Sequence, residues 1–339
     1  MKAVVLNQTG PSANLSENIS IEEVPVPEIS EDEILIKVLS ASLNHRDLWL
    51  TSGSYSKIKL PVILGSDCAG IIHSTGKNVK ELTHGDEVII NPGMNWGADE
   101  NFQSKDFKIL GMPDDGTLSE YVKVHMNQVF RKPEHLTFEE ASAFPLAGVT
   151  AFRCLFKKAQ IKKFDNVLIT GAGGGVAALA LIFASKAGAN VYVTSSQDHK
   201  IETAISFGAK GGVNYSRKEW EKEILKLMEN NIQIVIDGNG GENINKFTEI
   251  CNYGARIVCY GATAGSVNEL SMHKIYWKQI KLMGSTMGSP GDFADMLSFI
   301  NENKIRPVID KVFKMNDIVK AFERMDRSEQ FGKIIVSMK

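Results

Sequence analysis

Apolar runs of strand length alternate with helical segments in the middle of the chain. The apolar runs lie at 167–170, 190–194, 213–214, 232–237 and 255–260. The segments with helical periodicity lie between them, at 176–186, 200–208, 219–229 and 242–252. This alternation is typical of a parallel sheet covered by helices on both faces. The pattern therefore predicts a doubly wound α/β domain.

A glycine cluster joins the first of these strands to the first helix. The sequence there reads VLITGAGGGVA over 167–177, and its glycines are Gly171, Gly173, Gly174 and Gly175. Glycine lets a phosphate approach the backbone, and the positive end of the next helix attracts it, so we expect a dinucleotide at this turn. A glycine turn without a ligand is the alternative. Position 176 is Val176 where the G-x-G-x-x-G fingerprint has its third glycine, so we expect a shifted helix start.

The end of the second strand indicates which nicotinamide nucleotide binds. An Asp or Glu about twenty residues after the glycines binds the ribose hydroxyls of NAD, but this chain has TSSQ at 194–197. No carboxylate there repels a 2′-phosphate, and Ser195, Ser196 and Lys200 offer hydroxyl donors and a positive charge. These residues predict NADP(H). Asp198 argues the other way, and a solvent-exposed role for Lys200 in a first helical turn is the alternative.

The segment before the glycine cluster has a different pattern. Its β-type runs are separated by loops with Pro and Gly, and they lie at 1–6, 33–39, 69–73 and 87–91. They predict an antiparallel, barrel-like domain. Helical periodicity begins near Thr137, a candidate N-cap with an acidic first turn. We expect one discontinuous domain over 1–128 and 288–339, with the α/β domain over 129–287.

Composition excludes several classes of function. The chain has 339 residues, a formal net charge of −2, 43% hydrophobic residues and 23% charged residues. Nothing in this charge predicts nucleic acid or an anionic membrane as a partner. No apolar run has the length of a membrane span or the form of a signal peptide. The four cysteines form no C-x-x-C pair, which indicates thiols in a reducing cytoplasm.

Five motifs along the chain resemble those of the medium-chain dehydrogenase/reductase superfamily in order and spacing. They are NHRD (44–47), GSDCAGIIHSTG (65–76), NPG (91–93), GTLSEYV (116–122) and PLAGVT (145–150). The resemblance covers essentially the whole chain. It implies a mainly β GroES-like catalytic domain and a Rossmann domain between its two parts. It also implies a homodimer paired along a Rossmann edge strand near 278–283, because an exposed edge needs covering.

Zinc alcohol dehydrogenases and quinone oxidoreductases are the two poles of that superfamily. Catalytic zinc takes three Cys, His or carboxylate ligands, and the resemblance aligns these positions with Asn44, Ser66 and Leu146. The loop that holds a structural zinc corresponds to 92–111, which contains no cysteine. Other candidate ligands are scattered along the chain: His45, Asp67, His73 and His84. We expect no zinc in either site.

Without a Lewis acid, oxidation of a simple alcohol is disfavoured. Reduction of a quinone or an α,β-unsaturated carbonyl needs only a positioned hydride donor and hydrogen bonds to the developing oxygen charge. The resemblance implies Asn44 and Tyr55 as those donors, with Asp47 orienting its neighbours. The alternatives are a turn-forming Asn44 that caps a helix over 46–50 and a Tyr55 that packs on the surface.

The resemblance also implies further cofactor contacts, at Thr150, Tyr215, Gly261, Ala262, Met287 and Lys333. For Gly261, a simple turn after a strand is an equal alternative. Taken together, the residues predict a metal-independent, NADPH-dependent oxidoreductase acting on a small quinone or α,β-unsaturated carbonyl. The alternatives are an enoyl-thioester reductase, a zinc-type alcohol dehydrogenase, and an NADPH-binding regulatory protein.

Overall fold

The computed structural model describes residues 1–55 and 57–338. The strands are β1 (Lys2–Leu6), β2 (Ile19–Glu23), β3 (Glu33–Ser42), β4 (Val62–Ile63), β5 (Asp67–Thr75), β6 (Glu87–Ile90), β7 (Gly93–Met94), β8 (Lys108–Ile109), β9 (Tyr121–His125), β10 (Val129–Arg131), β11 (Asn166–Ile169), β12 (Asn190–Ser195), β13 (Gly211–Asn214), β14 (Ile234–Asp237), β15 (Arg256–Cys259), β16 (Lys281–Gly284), β17 (Ile309–Lys314) and β18 (Lys333–Ser337). The helices are α1 (Leu15–Asn18), α2 (His45–Thr51), α3 (Phe138–Ser142), α4 (Pro145–Phe152), α5 (Gly175–Lys186), α6 (Asp198–Ser206), α7 (Trp220–Leu227), α8 (Asn243–Ile250), α9 (Met272–Trp277), α10 (Pro290–Asn303) and α11 (Ile318–Asp326).

The chain divides into two compact units. The first unit comprises Met1–Ala147 and Ser289–Lys339, and the second comprises Gly148–Gly288. The expected boundary at 128 lies earlier than this division because α3 packs on strands of the first unit. The Ser142 hydroxyl lies 2.9 Å from that of Ser40, and its carbonyl accepts a 2.9 Å hydrogen bond from Ser42. Helical periodicity at Thr137 therefore marks a helix of the first unit and not the start of the second.

The sheets of the first unit are antiparallel, as its β-type runs predict, except that β17 pairs parallel to β18. A seven-stranded sheet has the order β10-β6-β5-β3-β18-β17, with β9 paired to β3, and a smaller sheet has the order β2-β1-β4. Strand β18 is antiparallel to β3, with Ile335 opposite Ser42. This pairing brings the C-terminal segment back to the first unit, and it places Lys333, the first residue of β18, near the start of α2.

The second unit is a six-stranded parallel sheet in the order β13-β12-β11-β14-β15-β16. Numbered within the unit this is 3-2-1-4-5-6, the order of the doubly wound dinucleotide-binding fold, so the predicted fold class is confirmed. Helix α5 buries every residue of 177–184. It begins at Gly175, one residue before the expected start at Val176, with Gly174 as its N-cap. In the described part of the chain, no helix is both long enough and apolar enough to cross a membrane.

Candidate functional site

A buried polar cluster surrounds the start of α2 in the first unit. Asn44 precedes the helix, and its backbone N–H donates to Asp47 Oδ2 at 2.8 Å. The Asn44 side chain bonds elsewhere: Nδ2 donates to Asp67 Oδ2 at 2.8 Å, and Oδ1 accepts from Lys333 Nζ at 2.6 Å. The expectation that Asn44 stands at a helix start is therefore correct. Its amide, however, belongs to the polar cluster.

Lys333 lies inside this cluster with only 2% of its surface exposed. Its ammonium donates to Leu43 O at 2.8 Å, to Asn44 Oδ1 at 2.6 Å and to Asp67 Oδ2 at 3.2 Å. Burial lowers the pKa of Lys333, and the neighbouring Asp67 carboxylate opposes that shift. An ammonium has three N–H donors, and all three are used here. We therefore revise its expected role from cofactor binding to holding this cluster together.

Asp67 is the completely buried acceptor at the centre of the cluster. Its Oδ2 accepts from Ser42 Oγ at 3.0 Å as well as from Asn44 and Lys333, and its Oδ1 accepts from the backbone N–H of Leu146 at 2.8 Å. From the sequence, Asp67 was a candidate only as a metal ligand. The sequence did contain a signal, because Asp67 begins an apolar run. A carboxylate that is buried there needs hydrogen-bond partners.

Arg46 is a second buried cation beside Ser66. Its Nη1 donates to Ser66 Oγ at 2.8 Å and to Leu110 O at 2.9 Å, and its Nη2 lies 3.5 Å from Met112 O. The Tyr55 ring centroid lies 5.8 Å from Arg46 Cζ. Tyr55 is half-buried against the core of the first unit, so the predicted surface-packed alternative describes it only in part. Arg46 was not predicted, although a charge between Asn44 and Asp47 in an apolar helix was a signal for it.

The residues aligned with zinc ligands do not fit a zinc ion. The Asn44 oxygen already accepts from a lysine, and the Ser66 hydroxyl donates to Leu110 O at 2.7 Å while accepting from Arg46. Leu146 offers no side-chain donor atom. Both side-chain oxygens are thus already engaged within the protein and are not free to bind a metal. No group of three or more His, Cys, Asp and Glu side chains suited to a metal occurs in residues 1–55 and 57–338.

Asp47 is completely buried beside this cluster, and its Oδ1 has no hydrogen-bond partner. Burial raises the pKa of Asp47 to about 6, while the Arg46 charge and the Asn44 N–H oppose the shift. The nearby Asp67 carboxylate also raises it. Asp47 therefore takes up a proton at a higher pH than a surface aspartate does.

We predict that Asp47 makes the protein less stable as the pH rises from about 4 to about 6. In that window the folded protein binds the proton, with a pKa of about 6, while the unfolded chain, near 3.8, has released it. The free energy of unfolding therefore falls with rising pH, by on the order of 3 kcal/mol from this group. Urea titrations across this window should show that Asp47→Asn removes the decline. The exposed Asp326→Asn is the control and should keep it.

The second unit carries the dinucleotide turn at the carboxyl ends of β11 and β14. Gly171 has φ +65°, and the N–H of Gly174 donates to its carbonyl at 2.9 Å. Gly173 lies within the turn, and Gly175 and Val176 open α5, where the first N–H groups of a helix have no partner within it. Phosphate oxygens fit such a set of donors.

Side chains and loops around this turn are connected to the neighbouring strands. Thr170 Oγ1 donates to Asp237 Oδ1 at 2.6 Å, and Asp237 Oδ2 accepts from Gly240 N at 2.7 Å. A Cβ added to Gly261 would lie 2.5 Å from the Gly238 carbonyl oxygen. The close approach of the two loops therefore requires a glycine at position 261, and no ligand is needed to explain this residue.

The residues expected at the adenosine end lie together at the ends of β12 and β13. Ser195 is buried, Ser196 and Tyr215 are exposed, and Lys200 is 6% exposed. The alternative of a solvent-exposed Lys200 is wrong, because the first turn of α6 packs this side chain inward.

Asp198, which argued against NADP(H), is paired with a cation that sequence reasoning did not single out. Its Oδ2 accepts from Arg217 Nη2 at 2.9 Å, and its Oδ1 accepts from Asn214 Nδ2 at 3.1 Å. The Arg217 guanidinium offsets the carboxylate charge. Arg217 follows Tyr215 by two residues, so a basic residue just after β13 was the available signal.

The remaining predicted cofactor residues also belong to the second unit. Thr150 Oγ1 lies 3.9 Å from Met287 Sδ, and Met287 has φ +46°. Ala262 is exposed in the loop after β15. The structure thus gathers Asn44, Asp47 and Tyr55 in the first unit and, apart from Lys333, the expected cofactor residues in the second.

Two family models match this chain. The family model described as Alcohol dehydrogenase GroES-like domain matches residues 30–134, and that described as Zinc-binding dehydrogenase matches 175–302. The zinc-type alcohol dehydrogenase-like protein YogA of Leptosphaeria maculans is 34% identical, covering 94% of this chain and 94% of its own. The chain belongs to the medium-chain dehydrogenase/reductase superfamily. The resemblance seen in the motifs is confirmed.

Members of the superfamily similar to this chain differ in the reactions that they are named for. Crotonyl-CoA reductase of Streptomyces collinus is 28% identical, covering 94% of this chain and 81% of its own. The solved structure of an NAD-dependent alcohol dehydrogenase superposes with a TM-score of 0.93 at 31% identity, covering 100% of both chains. The chain is thus an NAD(P)-dependent oxidoreductase of the superfamily, with a GroES-like domain and a Rossmann-like domain.

Proposed function

We propose that this oxidoreductase is an NADPH-dependent, metal-independent reductase of small quinones or α,β-unsaturated carbonyl compounds. The observation that carries the proposal is the polar cluster of the first unit. Asn44, Ser66 and Leu146 stand at the zinc-ligand positions, and the cations Lys333 and Arg46 bond two of them. Such a site has no Lewis acid to acidify an alcohol, but it has donors for an oxygen that gains negative charge.

A bound NADPH supplies the hydride for this reaction. The chain's part is to polarise the acceptor and to stabilise the oxygen as charge develops there. Asn44 is held through both amide atoms by Asp67 and Lys333, so its remaining N–H has a fixed direction. Tyr55, beside Arg46, adds a phenolic donor. Fixed donors contribute more than mobile ones, because they need no reorganisation during the reaction.

Preference for NADPH over NADH is the second part of the proposal. Ser195, Ser196, Lys200 and Tyr215 end or follow the strands beside the expected adenosine site, and no carboxylate ends β12. Arg217 pairs with Asp198, the nearest acidic group, and reduces its repulsion of a 2′-phosphate. We expect the 2′-phosphate to be held by hydroxyl donors and positive charge, as in other charge-assisted phosphate sites.

The test measures oxidation of NADPH and of NADH with a benzoquinone, an enone or crotonyl-CoA as the acceptor. The opposite direction is measured with a primary alcohol and the oxidised nucleotides. We expect turnover of the quinone or enone with NADPH, unchanged after dialysis against a chelator. Stoichiometric zinc in the purified protein, or turnover of the alcohol alone, would contradict the proposal.

Enoyl-thioester reduction is the second candidate, favoured by the similarity to crotonyl-CoA reductase. It uses the same oxygen chemistry, because a thioester carbonyl also becomes an enolate after hydride addition. The panel separates the two candidates. A preference for crotonyl-CoA over a short enone with the same double bond would show that the nucleotide part of the thioester substrate is recognised.

We further propose that the protein is a cytoplasmic homodimer paired along β16. This strand is the edge of the parallel sheet, Leu282 is partly exposed, and nearby Tyr276 and Trp277 are 63% and 62% exposed. The N–H groups of Lys281 and Ser285 donate to Ala255 O and Cys259 O on the β15 side, so the intervening N–H of Leu282 faces the open edge. The four cysteines are free thiols, in keeping with a reducing compartment.

We predict that Leu282→Pro converts the dimer to a monomer, because proline removes the outward N–H without affecting the N–H groups that bond β15. Light scattering at micromolar concentration measures the change. Leu282→Thr keeps the N–H and should remain dimeric. A wild-type protein that is monomeric at this concentration would exclude the edge-paired dimer.

A further inference from the structure

We propose that the Arg46 guanidinium is the binding site for the substrate oxygen that becomes negatively charged, in the place where zinc relatives use a metal. This inference deepens the proposed function and rests on it. It names a residue that the motifs did not assign to catalysis. It also defines the substrate class as acceptors whose reduced form is an enolate or a phenolate.

The guanidinium is held in one position. Ser66 Oγ and Leu110 O accept from Nη1 at 2.8 and 2.9 Å, and the side chain is only 6% exposed. Ser66 stands at a zinc-ligand position in the alignment of motifs. The positive charge therefore lies beside the position that the metal occupies in zinc relatives, and it needs no reorganisation to act there.

Arg46 nevertheless forms no ion pair or hydrogen bond with a carboxylate among the residues that the structure describes. Its hydrogen bonds go to a hydroxyl and to carbonyl oxygens, and its Nε is buried without an acceptor. Asp47 lies near enough for the Arg46 charge to lower its pKa, but it accepts no hydrogen bond from the guanidinium. Asp47 is thus a nearby negative charge but not a hydrogen-bonded partner, so the burial of the guanidinium is only partly compensated. An arriving oxyanion would supply the missing hydrogen-bonded partner.

The other cation of the cluster has no N–H group left for a substrate oxygen. Lys333 is paired with Asp67 and has used every N–H donor. Of the two positive charges, only Arg46 keeps unused N–H groups. We therefore assign oxygen binding to Arg46 and a positioning role to Lys333, which acts through Asn44.

Hydride from NADPH adds to the β-carbon of the acceptor, the double-bond electron pair moves onto the carbonyl oxygen, and NADP⁺ is left. Arg46 holds the enolate oxygen until a proton from solvent or from the Tyr55 hydroxyl reaches the α-carbon and restores the carbonyl. With a quinone, addition of the hydride gives the hydroquinone monoanion; Arg46 holds its phenolate oxygen, and a proton from solvent then completes the hydroquinone.

The test uses 4-nitrophenol as a mimic of the charged oxygen, since its phenolate is coloured and its ionisation is read directly. We expect the full-length protein to bind the phenolate form and to lower the apparent pKa of the bound phenol. Arg46→Met should weaken phenolate binding by about tenfold to a hundredfold, the effect of a hydrogen bond to a charged group. Arg46→Lys should retain part of the binding, and the exposed Arg131→Met should change nothing.

Kinetics provides the second readout. For whichever acceptor is reduced, Arg46→Met should lower kcat and kcat/KM together, as expected when an interaction is made in the transition state. If Arg46→Met does not fold, Ser66→Ala, which removes one acceptor of the guanidinium, should weaken phenolate binding in the folded protein. Equal phenolate binding by wild type and Arg46→Met, or by wild type and Ser66→Ala in that case, would overturn the assignment.

The two proposals fail in different ways. Phenolate binding needs neither NADPH nor turnover, so Arg46-dependent binding without reduction of any acceptor contradicts only the proposed function. Reduction of an enone or quinone at an undiminished rate by Arg46→Met contradicts only the assignment of Arg46.

Discussion

Lys333→Met is expected to destabilise the first unit by about 3–5 kcal/mol, the usual cost of removing one partner of a buried ion pair. The substitution leaves the Asp67 carboxylate without a counter-ion at a site with no exposed surface. It also removes the donor that holds Asn44 Oδ1. We therefore expect a large fall in the free energy of unfolding, measured by urea titration, and a loss of reductase activity in the fraction that remains folded.

A double variant separates the ion pair from simple loss of packing. In Asp67→Asn/Lys333→Met no buried charge is left uncompensated, and an asparagine oxygen still accepts from the Leu146 N–H. We expect the double variant to be more stable than Lys333→Met alone. Equal stability of the two would contradict the loss of the Asp67–Lys333 ion pair as the cause of the destabilisation. The exposed Lys320→Met is the control and should change stability by less than about 1 kcal/mol.

The second unit was predictable because its signals are local. Strand and helix alternate with the right lengths, and the glycine cluster falls at the junction where the parallel sheet needs it. The antiparallel strands of the first unit were predictable for the same reason. Local signals cannot specify the order of strands whose partners are far apart in sequence.

The polar cluster was only partly predictable, because it depends on such long-range pairing. Asn44 and Asp47 stand out within one short motif. The contact between Lys333 and Asn44, however, joins residues 289 positions apart and exists only because β18 pairs with β3. Lys333, which directly follows a glycine, was therefore assigned to cofactor binding by resemblance. Side-chain direction at Arg46 likewise follows from the fold, since Leu110 and Met112 lie in a distant loop.

Gly171→Val is expected to abolish cofactor binding while the protein stays folded. Gly171 has φ +65°, in the left-handed region that a β-branched residue rarely adopts. A Cβ there would meet only Asn239, at 3.7 Å, so crowding within the protein is not the cause. The side chain would instead project at a turn where a pyrophosphate must approach the backbone. We expect a loss of affinity for NADPH of about a hundredfold or more, measured by nucleotide fluorescence.

Gly254→Val is the matched control for this prediction. Gly254 belongs to the same unit, has φ +72°, and an added Cβ would meet nothing within 4 Å. Both variants therefore carry a similar backbone strain, of about 1–2 kcal/mol, but only Gly171 lies at the nucleotide turn. We expect similar losses of thermal stability and very different affinities for NADPH. If Gly254→Val lost NADPH binding to the same extent, strain alone would explain the effect, and the glycine turn would no longer be assigned to the pyrophosphate.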